Sequence, residues 1–130
     1  MLKKILLKYS VLFSIIWAAT IFLLCATPGQ YIPSNNWLEL LSFDKFVHAS
    51  IFFVLSVLLF AVAIKYNQNK VIIITYFLIC VIYGGLLEIM QAKCFNNRSG
   101  DWFDFIANSF GCCVALLTLK KLSKYLKTTN

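Results

Sequence analysis

GGLLEIMQAKCFNNRSGDWFDFIANSFG, Gly84 to Gly111, decides how the whole chain is read. Glu88 and Gln91 close an apolar run that begins at Val71. Asp101, Asp104 and Asn108 open another that ends at Leu119, and Arg98 lies in the short connection between them. Apolar runs of this length predict membrane-spanning helices, because about 20 residues of helix cross ~30 Å of hydrocarbon. Ionisable groups gathered at the ends of such helices mark a candidate functional site.

The rest of the chain supports this reading. Hydrophobic residues make up 61% of the 130 residues, and the mean hydropathy is +0.81. Soluble domains stay near 45–50% apolar. The length accommodates a single domain, residues 1–130, with spans at about 9–27, 46–64, 71–90 and 103–119. The expected fold class is therefore all-α, a polytopic bundle of four transmembrane helices, with no room for a soluble catalytic domain. A net charge of +7 would suggest nucleic acid in a soluble protein. Here the basic residues flank apolar runs rather than interleave with aromatics, which excludes a nucleic-acid patch and makes them topology signals.

The first run, from about Tyr9 to Thr27, is longer than the 7–15 residues of a signal-peptide core and is read as a retained span. Pro28 and Pro33 end it. Trp37, followed by Leu38, Leu40 and Leu41, suggests a short interfacial segment. The second span opens with Asp44, Lys45 and His48, and the four-residue spacing puts Asp44 and His48 on one helix face. KYNQNK, Lys65 to Lys70, is a tight polar turn that makes the second and third spans antiparallel neighbours. In the third, Gly84, Glu88 and Gln91 share one stripe. In the fourth, Asp101, Asp104, Asn108, Gly111 and Ala115 do the same, and Ala107, Gly111 and Ala115 form a small-residue series suited to close helix packing.

Lys3, Lys4, Lys8, Lys65, Lys70, Lys120, Lys121, Lys124 and Lys127 fall on one side of this arrangement, and Lys45, Lys93 and Arg98 on the other. The positive-inside rule then predicts that both termini are cytoplasmic. All five acids, Glu39, Asp44, Glu88, Asp101 and Asp104, are placed at the outer face. Three helix ends bring their polar groups there, and so many ionisable groups near lipid are costly if they serve only to hold helices together. The candidate catalytic residues are Glu88, His48 and Asp104; the candidate binding residues are Asp44, Lys45, Gln91, Arg98, Asp101 and Asn108. His48 is the single histidine and no spaced ligand pair accompanies it, so neither a metal nor another cofactor is expected. Cys25, Cys80, Cys112 and Cys113 lie inside spans as small apolar residues, and Cys94 stands alone in an outer connection, so no disulfide framework is expected.

Asp44-Lys45-x-x-His48 opening a span, Glu88-x-x-Gln91 ending another, then Arg98, Asp101, Asp104 and Asn108-x-x-Gly111, resembles the VanZ-like family of small bacterial membrane proteins, named for a member linked to teicoplanin resistance. The resemblance covers about Ala26 to Ala115. Ala115 stands where a second glycine is expected, and Asn96-Asn97 replaces a proline-bearing turn. What the resemblance implies is a multi-pass protein of the bacterial cytoplasmic membrane facing the cell envelope.

Two classes of function follow. In the first, the site binds or modifies an amphiphilic, lipid-linked or lipoglycopeptide molecule at the outer leaflet. Lys45 and Arg98 hold a phosphate or carboxylate, and Glu88 or Asp104 exchanges a proton with His48. In the second, the polar cluster only fixes the bundle of a structural or partner protein. A proton-coupled transporter ranks third, since no span carries a charge at mid-depth and no broken-helix pair is evident.

Overall fold

A computed structural model describes residues 2–27, 43–95 and 100–128. Arg98, Trp37 and Glu39, each given a place above, lie outside the described residues. The described chain forms four helices: α1 (Leu2–Ala26), α2 (Phe43–Lys65), α3 (Lys70–Lys93) and α4 (Trp102–Lys127). All four are long and apolar enough to cross a membrane. Two outrun the expected spans. α1 begins at Leu2 and bends at Tyr9, whose φ of −107° and ψ of 15° are not helical. α4 continues through the terminal lysines to Lys127. Hydropathy marks where lipid ends, whereas Lys and Leu are good helix formers on either side of that boundary.

The local reasons for these elements are visible. Asn69 caps α3, its side-chain oxygen accepting from the Ile72 N–H at 3.1 Å. Asp101 caps α4 in the same way, accepting from the Phe103 N–H at 2.9 Å. The tight turn between α2 and α3 carries Asn67 at a positive φ of 50°. Asparagine tolerates that left-handed conformation better than most side chains.

Contacts at the helix ends define an up-and-down bundle. Lys65 Nζ at the end of α2 donates to the Lys8 carbonyl at 2.9 Å. Lys127 Nζ at the end of α4 donates to Asn67 Oδ1 at 3.1 Å. The Lys3 ammonium lies 3.8 Å from the centre of the Tyr125 ring. These pairs put the lysine-rich ends together. At the opposite end stand the start of α2, the start of α4 and the last turns of α1 and α3.

The parallel pair α2 and α4 forms the most extensive interface. Gly111 makes it possible, because a Cβ there would strike the Ala49 carbonyl oxygen and come within 3.0 Å of Phe53 N. The small-residue stripe of Ala107, Gly111 and Ala115 is buried inside this interface. α1 is held by hydrogen bonds from side chains of its neighbours and its own: Trp17 Nε1 to Ile51 O at 2.9 Å, Tyr83 OH to Ala18 O at 2.8 Å and Gln91 Nε2 to Cys25 O at 3.3 Å. Phe52, Leu55, Ile21 and Leu87 fill the centre. Large apolar side chains cover the exterior, among them Ile15, Leu23, Ile82, Phe110 and Leu117. An apolar surface so extensive suits lipid and not water.

Candidate functional site

The polar residues read from the sequence converge at the end of the bundle opposite the lysines. α2 supplies Asp44, Lys45 and His48 from its first turns, α3 supplies Glu88 from its last turns, and α4 supplies Asp101, Asp104 and Asn108 from its start. His48, Glu88, Asp104 and Asn108 are buried, with 8%, 7%, 8% and 1% of their surfaces exposed. Asp44 is exposed.

Lys45 sits among the acids. Its ammonium is 2.9 Å from Asp104 Oδ1, 3.0 Å from Asp101 Oδ2 and 3.7 Å from Asp44 Oδ2. The contact with Asp101 is a hydrogen bond. Asp104 Oδ1, by contrast, has the ion pair with Lys45 but no hydrogen-bond partner. Lys45, expected to hold an anionic ligand, is thus already engaged by carboxylates of its own chain, and an incoming anion would have to displace one of them. The Phe103 N–H at the helix start, and then the Lys45 ammonium, hold the Asp101 carboxyl below its ordinary pKa.

His48 links the two halves of the cluster. Its Nδ1 lies 3.1 Å from Asn108 Oδ1, while Asn108 Nδ2 donates to Glu88 Oε1 at 3.4 Å. The chemistry assigns the protons: the Glu88 carboxylate only accepts, so the Asn108 nitrogen must face it. The Asn108 oxygen then faces His48, whose Nδ1 must carry the hydrogen. His48 Nδ1 also lies 3.9 Å from Glu88 Oε1, and on the other side of the ring Nε2 lies 3.6 Å from Asp104 Oδ2 and 3.7 Å from Asp44 Oδ1. The expected proximity of His48, Glu88 and Asp104 is therefore present in the fold. Gln91 is not part of it. Its amide reaches α1 instead, so of the two polar residues on the α3 stripe one enters the cluster and the other secures the neighbouring helix.

Glu88 Oε2 accepts the Asp101 backbone N–H at 3.2 Å, which ties the end of α3 to the cap of α4. Gly100 makes the approach possible, since a Cβ there would strike the Glu88 carbonyl oxygen and lie 3.1 Å from Ala92 Cβ. Sequence reasoning gave Gly100 no role. Its signal is local: a small residue directly before the capping aspartate of a helix that must start against another helix.

Beside the network a cleft of ≈ 180 Å³ opens between α3 and α4. Gly85, Ile89, Ala92, Trp102 and Phe105 give it apolar walls, and Glu88 and Asp101 meet it at the polar end. Trp102 is 79% exposed and stands edge-on to Phe105, with ring centroids 6.2 Å apart. The arrangement offers an apolar slot next to hydrogen-bond acceptors at one depth.

No family model, curated protein or solved structure matches the chain.

Proposed function

We propose that this chain is a multi-pass membrane protein of the bacterial cytoplasmic membrane that binds an amphiphilic cell-envelope molecule from the outer leaflet, as the VanZ-like resemblance of its polar residues suggests. The observation that carries the reading is the α3–α4 cleft, which Ile89, Trp102 and Phe105 line together with Glu88 and Asp101. Its polar end recognises a head rich in donors, hydroxyl, amide or ammonium, because Glu88 and Asp101 line it and three carboxylates already engage Lys45. A lipid-linked sugar or a lipoglycopeptide has that chemistry. A modification step would draw on Glu88, His48 and Asp104, which are close enough to exchange a proton directly or through a water.

The nine lysines at the other end of the bundle support cytoplasmic termini. Cys94, exposed at the C-cap of α3, reports on this. A membrane-impermeant maleimide added to intact spheroplasts should label Cys94, and a cysteine placed at Gln68 should react only after lysis. Labelling in the opposite sense would reverse the topology and put the site in the cytoplasm.

Binding is tested in nanodiscs with a photoactivatable glycolipid and a photoactivatable phosphatidylglycerol of the same chain length. The glycolipid should crosslink to the α3–α4 cleft in preference to phosphatidylglycerol. Ala92→Leu, which fills the cleft from an exposed position, should remove the crosslink, and Glu88→Ala, in protein that remains folded, should remove the head-group preference. A second reading has its own support, since both Glu88 oxygens are already satisfied within the chain. If neither lipid crosslinks at the cleft, the amphiphile reading fails and Glu88 serves to tie α3 to α4.

A further inference from the structure

His48 Nε2, Asp44 Oδ1 and Asp104 Oδ2 converge, with Nε2 3.7 Å from the Asp44 oxygen and 3.6 Å from the Asp104 oxygen. Asn108 Oδ1 takes the Nδ1 hydrogen, and Asn108 is held in that orientation by Glu88, which leaves Nε2 as the ring atom that faces the two carboxylates. Three electron-rich atoms facing one another repel unless a cation or a proton lies between them. Each carboxylate also divides its two oxygens: Asp104 Oδ1 and Asp44 Oδ2 face Lys45, while Asp104 Oδ2 and Asp44 Oδ1 face the imidazole. Lys45 therefore neutralises the outer side of the group and leaves the inner side to something else. The charge count agrees, since Asp44, Glu88, Asp101 and Asp104 meet only one ammonium among the described residues.

We propose that Asp44, His48 and Asp104 form a binding site for a divalent transition-metal ion. One ligand atom from each residue lies within 4.8 Å of the others. Zinc bonds imidazole nitrogen and carboxylate oxygen at about 2.0–2.2 Å, which places ligand atoms about 3–4 Å apart around it. The observed 3.6 and 3.7 Å separations from Nε2 fall in that interval. One imidazole and two carboxylates form a mixed nitrogen and oxygen set suited to zinc or manganese. Asn108 on the far ring nitrogen supplies the outer hydrogen bond that metal-bound histidines characteristically make. The exposed Asp44 marks the entry path, and water completes the coordination sphere. The site does not depend on amphiphile binding in the α3–α4 cleft.

The test uses the full chain in detergent micelles, stripped with chelator, in a Cys94→Ala/Cys113→Ala background that removes the two exposed thiols. Zinc is titrated against a chromophoric chelator, and the zinc-loaded protein is examined by X-ray absorption. The expected result is one zinc per chain, coordinated by nitrogen and oxygen including one imidazole. Asp44→Asn, a change at an exposed position, should leave the helices folded and weaken zinc at least about tenfold. Glu88→Gln supplies an independent arm. Its amide nitrogen would face Asn108, whose own amide turns over to accept it. His48 Nδ1 then becomes an acceptor and the proton moves to Nε2. Zinc binding should fall by on the order of tenfold or more through this change of tautomer, although Glu88 supplies no ligand atom; Glu88 is a positioning residue. Absence of stoichiometric binding, sulfur in the coordination shell, or undiminished affinity in folded Asp44→Asn would each overturn the proposal.

Discussion

Gly111→Ala should destabilise the bundle by about 3 kcal/mol, the upper end of the range for overpacking a close-packed interior. The reason is that the added methyl meets backbone. It would overlap the Ala49 carbonyl oxygen and stand 2.9 Å from Ala49 C and 3.0 Å from Phe53 N. Neither can rotate away as a side chain would, so α2 and α4 must separate along their whole interface. The helices that separate are the ones that carry His48 and Asn108, and a shift of even 1 Å would break their 3.1 Å contact. Gly85→Ala is the control. A Cβ there meets only the Phe105 ring edge, at 3.3 Å, and the ring can give, so the cost should stay below about 1 kcal/mol. Thermal unfolding in detergent, followed by circular dichroism, checks both. Equal melting temperatures for Gly111→Ala and the parent would mean that the helices do not approach as closely as the structure places them.

Lys45→Met should be the most damaging change within the polar cluster. A fully buried ion pair broken on one side costs about 3–5 kcal/mol, whereas an exposed pair contributes about 0–1. Lys45 lies between these limits, its side chain 35% exposed and that of Asp104 only 11%, which suggests a loss of about 2 kcal/mol. Methionine keeps the length of the stem, so the loss reports on charge rather than packing. Without the ammonium, Asp104 and Asp101 face each other with nothing between them. Adding Asp104→Asn to Lys45→Met should therefore restore part of the stability, because it removes the carboxylate that the first change left uncompensated. Unfolding of the single and double variants in the presence of chelator measures this coupling. A double variant that is less stable than Lys45→Met by the full cost of Asp104→Asn alone would show that the two side chains act independently.

Much of this organisation is legible in the residues themselves. Burial of apolar runs depends on composition and length, so the four helices, their alternation and the segregation of lysines from acids are all visible in the sequence. The polar site is legible for the same reason: charged groups cannot be spread through the hydrocarbon, so those near it gather at helix ends, and residues three or four apart share a face. Asp44 with His48, and Asp104 with Asn108, are local pairs of this kind.

Which of these groups faces which was decided by tertiary structure. Gln91 and Glu88 occupy one stripe of α3, yet Gln91 reaches Cys25 on α1 while Glu88 reaches Asp101 and Asn108 on α4. The two residues are three apart and therefore rotated by most of a turn. That small difference in direction selects a different neighbour, and the neighbours belong to distant parts of the chain. Lys45 shows the same limit. Its charge suggests an anionic ligand when the sequence is read, but the aspartates that engage it come from α4, more than fifty positions away. The pairing of Asp44 and His48 is set by helix periodicity alone, whereas the third member of their group, Asp104, arrives only because Gly111 lets α4 lie directly against α2. Periodicity acts within a helix and is carried by the sequence; the approach of one helix to another depends on which small residues oppose which backbone, and that is known only once the helices are packed.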